Sequence, residues 1–288
     1  MLAERPAITR VPVEGAEVEV RAWGPRGGEG LLLLHGAAAH GGWWDFIAPF
    51  FAREGRRVAA LTWSGMGASG WRERYGFDLF AAEALAAAEA AGLQEGAHPP
   101  DLVAHSFGGA VACHLAASAE GARFRRYVLA DVGVRPPERR FQRLPARTNP
   151  NRAYADEAAA LARFRLMPEQ ACANLYAVDH IARGGLRRDE DGWRWAFDPF
   201  MWAKLDRDGR PLAQEAELAQ ARAPLAFVHG ERSALMDAEV VAYTRAHARP
   251  GSPVVAVPEA AHHLMLDQPL GFVAALRALF AGWAVTPA

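Results

Sequence analysis

The chain has 288 residues, 51% hydrophobic and 23% charged, with 32 basic against 33 acidic side chains and a formal charge of −1. That suits one large α/β domain or two small ones, and it gives no basic field to attract nucleic acid or anionic lipid. Lys204 is the only lysine, so there is no G-K-[ST] phosphate loop, and a Schiff-base lysine has one candidate, in a stretch that reads as helix.

In chain order, Met1-Leu2-Ala3-Glu4-Arg5-Pro6 has no apolar stretch behind a basic start, so no signal peptide is expected there. Arg10 to Val13 and Val18 to Trp23 alternate apolar and polar residues around Glu14-Gly15, the pattern of an antiparallel hairpin. Leu31 to Leu34 and Val58 to Leu61 are continuous apolar runs, as in parallel strands covered on both faces. Between them Trp44 to Arg53 reads as helix. Phe80 to Ala91 is an alanine-rich helix closed by Gly92. Asp101 to Ala104 is a predicted strand, Phe107 to Ser118 a helix, and Arg126 to Ala130 a strand. From Arg135 to about Gln220 no strand pattern stands out. That segment opens with Pro136-Pro137 and reads as several inserted helices. Alternation then resumes with a strand at Leu225 to His229, a helix at Ala238 to Ala248, a strand at Val254 to Val257 and a closing helix at Leu270 to Trp283.

The expected architecture is a mainly parallel α/β core from residues 1–134 and 221–288, with a helical cap at 135–220. No internal repeat is present. In such sheets ligands bind at the carboxyl ends of the strands, which directs attention to the residues just after each one. No apolar run approaches the ~20 residues of a membrane span, so the expected location is the cytoplasm. Cys113 and Cys172 are too few for a disulfide scaffold and read as core-filling thiols.

After the strand at 101–104 comes Ala104-His105-Ser106-Phe107-Gly108-Gly109 and then a helix. A small-x-Ser-x-Gly sequence on a strand-to-helix turn lifts a serine Oγ to the sheet edge. It also aims the Phe107 N–H, at a helix N-terminus, toward an oxyanion formed beside it. The alternative is a serine that merely caps the helix. A nucleophilic serine needs a base. His262, in Ala260-Ala261-His262-His263, follows the strand at 254–257 on the same sheet edge, and His263 is the competing choice. His35 ends a strand, His114 is inside a helix, and His40, His98 and His247 are expected to face solvent.

Together these marks resemble the α/β-hydrolase superfamily, in its serine-hydrolase branch with a helical cap. The marks are Leu34-His35-Gly36, Gly65-Met66-Gly67-Ala68-Ser69, the turn at Ser106, and Ala261-His262 with Asp267-Gln268-Pro269. The cap stretch Asp191 to Pro199 is also similar to one in capped members. The resemblance covers nearly the whole chain and implies an eight-stranded sheet. It also implies a second oxyanion donor from the small, glycine-rich loop after Leu34, namely the Ala37 N–H. Two positions depart from the pattern. Thr62 stands where relatives often have Asp, and Ser233 and Ala234 occupy the positions past Gly230 where relatives carry the acid. Asp131, closing the strand beside the Ser106 strand, is the first choice for that acid. Glu231 is the second, Asp237 more naturally caps a helix, and a water or Ser233 could orient the histidine instead.

The resemblance implies hydrolysis of a small apolar carboxylic ester or related acyl compound through an acyl-enzyme. Carbon–carbon bond hydrolysis of meta-cleavage-product type with the same Ser/His pair, or non-catalytic ligand binding on the same scaffold, are the alternatives. The expected partner is a small molecule, not nucleic acid or membrane. No cofactor or metal is implied, and the oligomeric state is left open. Trp43, Trp44, Trp193, Trp195, Phe197, Phe200 and Trp202 supply aromatic area for a pocket, of which two or three are expected to line it.

Overall fold

The computed structural model describes residues 4–140, 147–206 and 215–282. Met1 to Ala3, and Trp283 at the end of the predicted closing helix, lie outside them. In chain order the elements begin with β1 (Ala7–Val13), β2 (Ala16–Trp23), β3 (Gly30–Leu34), α1 (Ala48–Ala52), β4 (Arg57–Thr62), β5 (Tyr75–Gly76), α2 (Phe77–Ala90), β6 (Asp101–His105), α3 (Phe107–Ala117) and β7 (Arg126–Ala130). The inserted segment then contributes α4 (Glu157–Leu161), α5 (Leu175–Gly184), β8 (Leu186–Asp189), β9 (Gly192–Trp195), α6 (Met201–Lys204), β10 (Leu205–Asp206) and α7 (Glu215–Gln220). The core closes with β11 (Leu225–Gly230), α8 (Ala238–His247), β12 (Val254–Val257), α9 (Leu264–Asp267) and α10 (Pro269–Gly282).

Eight strands form one sheet in the order β1-β2-β4-β3-β6-β7-β11-β12. Strands β1 and β2 are antiparallel, and every pairing from β4–β3 onward is parallel. The leucine run of β3 shows why the centre is parallel. Leu32 and Leu34 pack with residues of α2 and α3 on one face, while Leu31 and Leu33 pack with α1 and α10 on the other. All four are fully buried, so the strand has no polar face and needs helices on both sides. Edge strand β1 instead leaves most of its residues exposed.

From β3 the chain steps outward to β4, then returns to place β6 on the other side of β3. This is a topological switch point, and the crevice beyond the carboxyl ends of β3 and β6 is where open α/β sheets bind ligands. The loops that leave those two ends contain Gly36-Ala37 and Ser106.

Three expectations are corrected. The segment between β7 and β11 is not purely helical. β8 and β9 form an antiparallel hairpin across Glu190-Asp191, and β10 pairs in parallel with β5. The strands escape a pattern search because Arg187, Arg188 and Asp189 are polar and poor strand formers, whereas Arg194 ties the hairpin through Asp189 and Asp191, both at 2.7 Å. The predicted helix over 44–53 is split into a 3₁₀ turn at Gly41–Trp44 and α1. Pro49 cannot sit in a helix interior, so the α-helix starts next to it. His40 is buried rather than solvent-facing; its Nε2–H donates to the Ile181 carbonyl at 2.9 Å, and its Nδ1 accepts from the Gly42 N–H. It thereby fastens the loop after β3 to α5.

The sole lysine is likewise structural. Lys204 Nζ lies 2.9 Å from Asp198 Oδ2, which also accepts from the Tyr75 hydroxyl at 3.0 Å. The Asp198 N–H donates to the Gly65 carbonyl. This joins the inserted segment to the loop after β4. Among the described residues, no helix is long and apolar enough to cross a membrane.

Candidate active site

Ser106 sits between β6 and α3 with φ 51° and ψ −119°. A non-glycine residue at positive φ is costly, and such strain at a strand-to-helix turn holds a side chain outward. The turn closes because its neighbours are small. A Cβ on Gly108 would meet the His35 carbonyl oxygen at 2.6 Å, and one on Gly109 would meet Val132 at 2.2 Å. Ala104 is fully buried. On the opposite wall, a Cβ on Gly36 would lie 3.1 Å from the Ser106 Cβ. The loop carrying Ala37 therefore passes directly against Ser106. Phe107 is the first residue of α3, so its N–H has no partner within the helix.

His262 Nε2 is 3.1 Å from Ser106 Oγ, and its Nδ1 is 2.7 Å from Asp131 Oδ1. His262 and Asp131 are both buried, while Ser106 is half-buried. The sequence-chosen serine, histidine and acid are thus brought into one hydrogen-bonded line. Asp131 also has a positive φ, 52°, at the turn that ends β7; aspartate tolerates that region better than most residues. Its Oδ2 accepts from the Gly230 N–H at 2.8 Å, and its Oδ1 accepts from the Ser233 hydroxyl at 2.6 Å. Three donors around one carboxylate hold it in one orientation. Ser233, one of the two positions past Gly230 where the resemblance leads one to expect an acid, instead hydrogen-bonds the carboxylate that follows the neighbouring strand β7. Its hydroxyl meets Asp131 and not His262.

The other acid candidates lie elsewhere. Glu231 is exposed and accepts from the Glu259 N–H at 3.0 Å. Asp237 caps α8 through the Val240 N–H and pairs with Arg139 at 2.6 Å. His263, the competing base, has a buried ring that reaches neither Ser106 nor an acid through a hydrogen bond and makes only a loose contact with the Met167 backbone.

Sequence reasoning missed His105. Its Nε2–H donates to the His262 carbonyl at 3.0 Å, fixing the backbone of the histidine from beneath. The only sequence signal was its place as the variable residue before Ser106. The ring nitrogens of His105, His262 and His263 lie within 4.8 Å of one another, a donor type that suits a transition metal. However, both His262 nitrogens already face Asp131 and Ser106, and His105 is committed to a carbonyl. The set fits a serine–histidine–aspartate line better than a metal centre.

Burial keeps several of these imidazoles neutral. It pushes His35 down to about 3, His263 to about 3, and His105 well below its ordinary value. His35 uses its neutral form, with Nδ1–H donating to the Gly36 carbonyl at 2.7 Å and Nε2 accepting the Trp63 N–H at 3.1 Å. The unfolded chain takes up these protons near pH 6.5 and the folded chain does not. Stability is therefore full above about pH 6.5 and declines as pH falls toward 3, by on the order of 1.4 kcal/mol per pH unit for each such group. The melting temperature should fall between pH 6.5 and 5, above the range in which ordinary carboxylates titrate. His263→Leu should make that slope shallower; an unchanged slope would show that His263 charges freely in the folded protein.

A cavity of about 730 Å3 lies beside the site, with Ala37 and His263 in its wall. Ser106 and His262 do not themselves line it. Of the seven candidate aromatic residues, Trp43, Trp195 and Phe197 line it. Trp44 instead packs on Phe272, and Trp202 sets its edge on Phe107.

Comparison with known proteins agrees with this architecture. Residues 31–276 match the alpha/beta hydrolase family. The chain is 30% identical over 236 residues to lipase LipV of Mycobacterium tuberculosis, a match spanning 77% of this chain and 85% of the lipase. It is 32% identical over 125 residues to a non-heme chloroperoxidase of Streptomyces lividans, 43% of each chain. Among solved structures, the thioesterase domain from the curacin biosynthetic pathway superposes with a TM-score of 0.73 at 20% identity, covering 96% of this chain and 99% of that one. E-2-(acetamidomethylene)succinate hydrolase superposes at 0.74 and 21% identity, with 96% and 99% coverage. These two likenesses concern the fold.

Proposed function

The chain belongs to the alpha/beta hydrolase family, and from that premise we propose that it is a serine hydrolase of small apolar carboxylic esters or related acyl compounds. The observation that carries this reading is the continuous line Ser106–His262–Asp131, with contacts of 3.1 and 2.7 Å.

The mechanism follows from the line. Asp131 accepts the Nδ1–H of His262, which leaves the Nε2 lone pair facing Ser106. His262 takes the Ser106 proton as Oγ attacks the substrate carbonyl, and the imidazolium that forms is stabilised by the Asp131 carboxylate. The N–H groups of Phe107 and Ala37 receive the negative oxygen. Such donors are worth about 3–4 kcal/mol each in the transition state. Collapse expels the alcohol, which takes the proton from His262. A water, deprotonated by the same Nε2, then releases the acid and restores Ser106. The described part of the segment 135–220 acts as the cap over this site, and Trp43, Trp195 and Phe197 form the apolar body of the pocket.

Pre-steady-state hydrolysis of p-nitrophenyl acetate through octanoate tests the reading. A burst of nitrophenol approaching one equivalent of protein, followed by slower turnover, is expected where deacylation limits the rate. Saturable binding of these esters with no hydrolysis of any of them would favour a ligand-binding protein on the same scaffold.

A further inference from the structure

The cavity beside Ser106 has a one-sided charge. Arg147, Arg152, Arg163 and Arg165 line it, and no aspartate or glutamate does so among the described residues. The whole chain, by contrast, is balanced. None of the four is paired with a carboxylate among the described residues. Arg147 stands 5.2 Å over the Phe197 ring and Arg152 5.6 Å over the Tyr154 ring. Arg165 donates to the Ala162 and Phe164 carbonyls. Arginines elsewhere in the chain commonly have an acid: Arg56, Arg125 and Arg126 all converge on Asp101.

Deeper in the same wall is His263, 4% exposed, with Trp43 packed 5.1 Å away; its ring makes no well-formed hydrogen bond and has only a loose contact with the Met167 backbone. A buried polar group without a partner is costly, and natural proteins keep few of them. A neutral imidazole offers one donor and one acceptor, so a polar atom of a bound molecule would complete it. Four exposed guanidinium groups without carboxylate partners among the described residues line a cavity of mixed polar and apolar surface, with a weakly satisfied imidazole in its wall; together they suit a ligand with an apolar body and an anionic end.

We propose that the preferred substrate carries a carboxylate on the arm away from the scissile bond, attracted by Arg147, Arg152, Arg163 and Arg165 and hydrogen-bonded within the cavity by His263. This rests on the serine-hydrolase reading and narrows its substrate class. The arginines act mainly through field and orientation, which raises encounter and is screened by salt.

Two matched ester pairs test it. p-Nitrophenyl hemiglutarate against p-nitrophenyl valerate places the charge on the acyl side, and 4-acetoxybenzoate against phenyl acetate places it on the alcohol side. In at least one pair kcat/KM should favour the carboxylate by ~10-fold or more at low ionic strength, and ~0.5 M salt should largely remove the preference. Arg163→Gln/Arg165→Gln should lower the ratio toward unity. No preference in either pair, or a preference that survives the double substitution, overturns the inference. Binding separates its failure from that of the hydrolase reading. In Ser106→Ala, monomethyl glutarate should bind saturably, read through fluorescence from Trp43 and Trp195, and ~10-fold more weakly with both arginines replaced. Absence of binding sinks the anionic subsite whatever the kinetics. Binding in a protein whose wild type hydrolyses no ester retires the hydrolase reading alone.

Discussion

Ser106→Ala is expected to lower ester turnover by roughly four to six orders of magnitude, because a nucleophile, its base and the orienting acid act as one unit and removing one forfeits most of what the set contributes. Residual turnover above the uncatalysed rate would come from substrate binding and the Phe107 and Ala37 N–H groups, which the substitution leaves in place. Folding should survive. The Ser106 side chain is half-buried and accepts no helix-capping hydrogen bond, and alanine is tolerated at that turn no worse than serine. Steady-state kinetics together with melting temperature check this. A variant that melts normally and keeps more than about a tenth of its turnover would remove Ser106 from the chemistry.

Asp131→Asn should reduce kcat by at least ~100-fold. Asparagine keeps the shape but presents an N–H where the carboxylate accepted one. The His262 ring would then turn its Nδ1 lone pair to the amide and carry its proton on Nε2, the tautomer that cannot accept from Ser106. The amide oxygen still accepts from the Gly230 N–H, and the Ser233 hydroxyl can rotate to accept from the amide N–H, so the position is held. The melting temperature should therefore move little by comparison with kcat. Glu231→Gln, at an exposed residue directed to the 259 backbone, should cost less than ~10-fold. If Glu231→Gln proves the more damaging substitution, the acid follows β11 after all.

The readable part of this protein was the part governed by short-range pattern. The continuous apolar runs at 31–34 and 58–61 read as strands covered on both faces, and they are. The glycines around Ser106 were legible because a turn of that tightness excludes side chains. The acid was harder. Asp131 and Glu231 both end strands, and only the three-dimensional register of β7 against β11 decides which carboxylate reaches His262. Ser233 gave no signal of its own, since its meaning depends on an acid 102 residues away. His105 was invisible for a similar reason: its partner is a backbone carbonyl at 262, and no side-chain pattern records that. The hairpin β8–β9 escaped because charged residues form it and cross-strand pairing, not apolar alternation, holds it together.

The most direct test of the central claim is the site of covalent modification by a fluorophosphonate, read by intact mass and then by peptide mapping. A phosphonate traps the serine that an adjacent base has activated, so it reports chemistry without any knowledge of the substrate. One adduct per chain, on Ser106, and no adduct on Ser106→Ala, is the predicted result. An adduct on another serine, or an unmodified wild-type protein, would contradict the account.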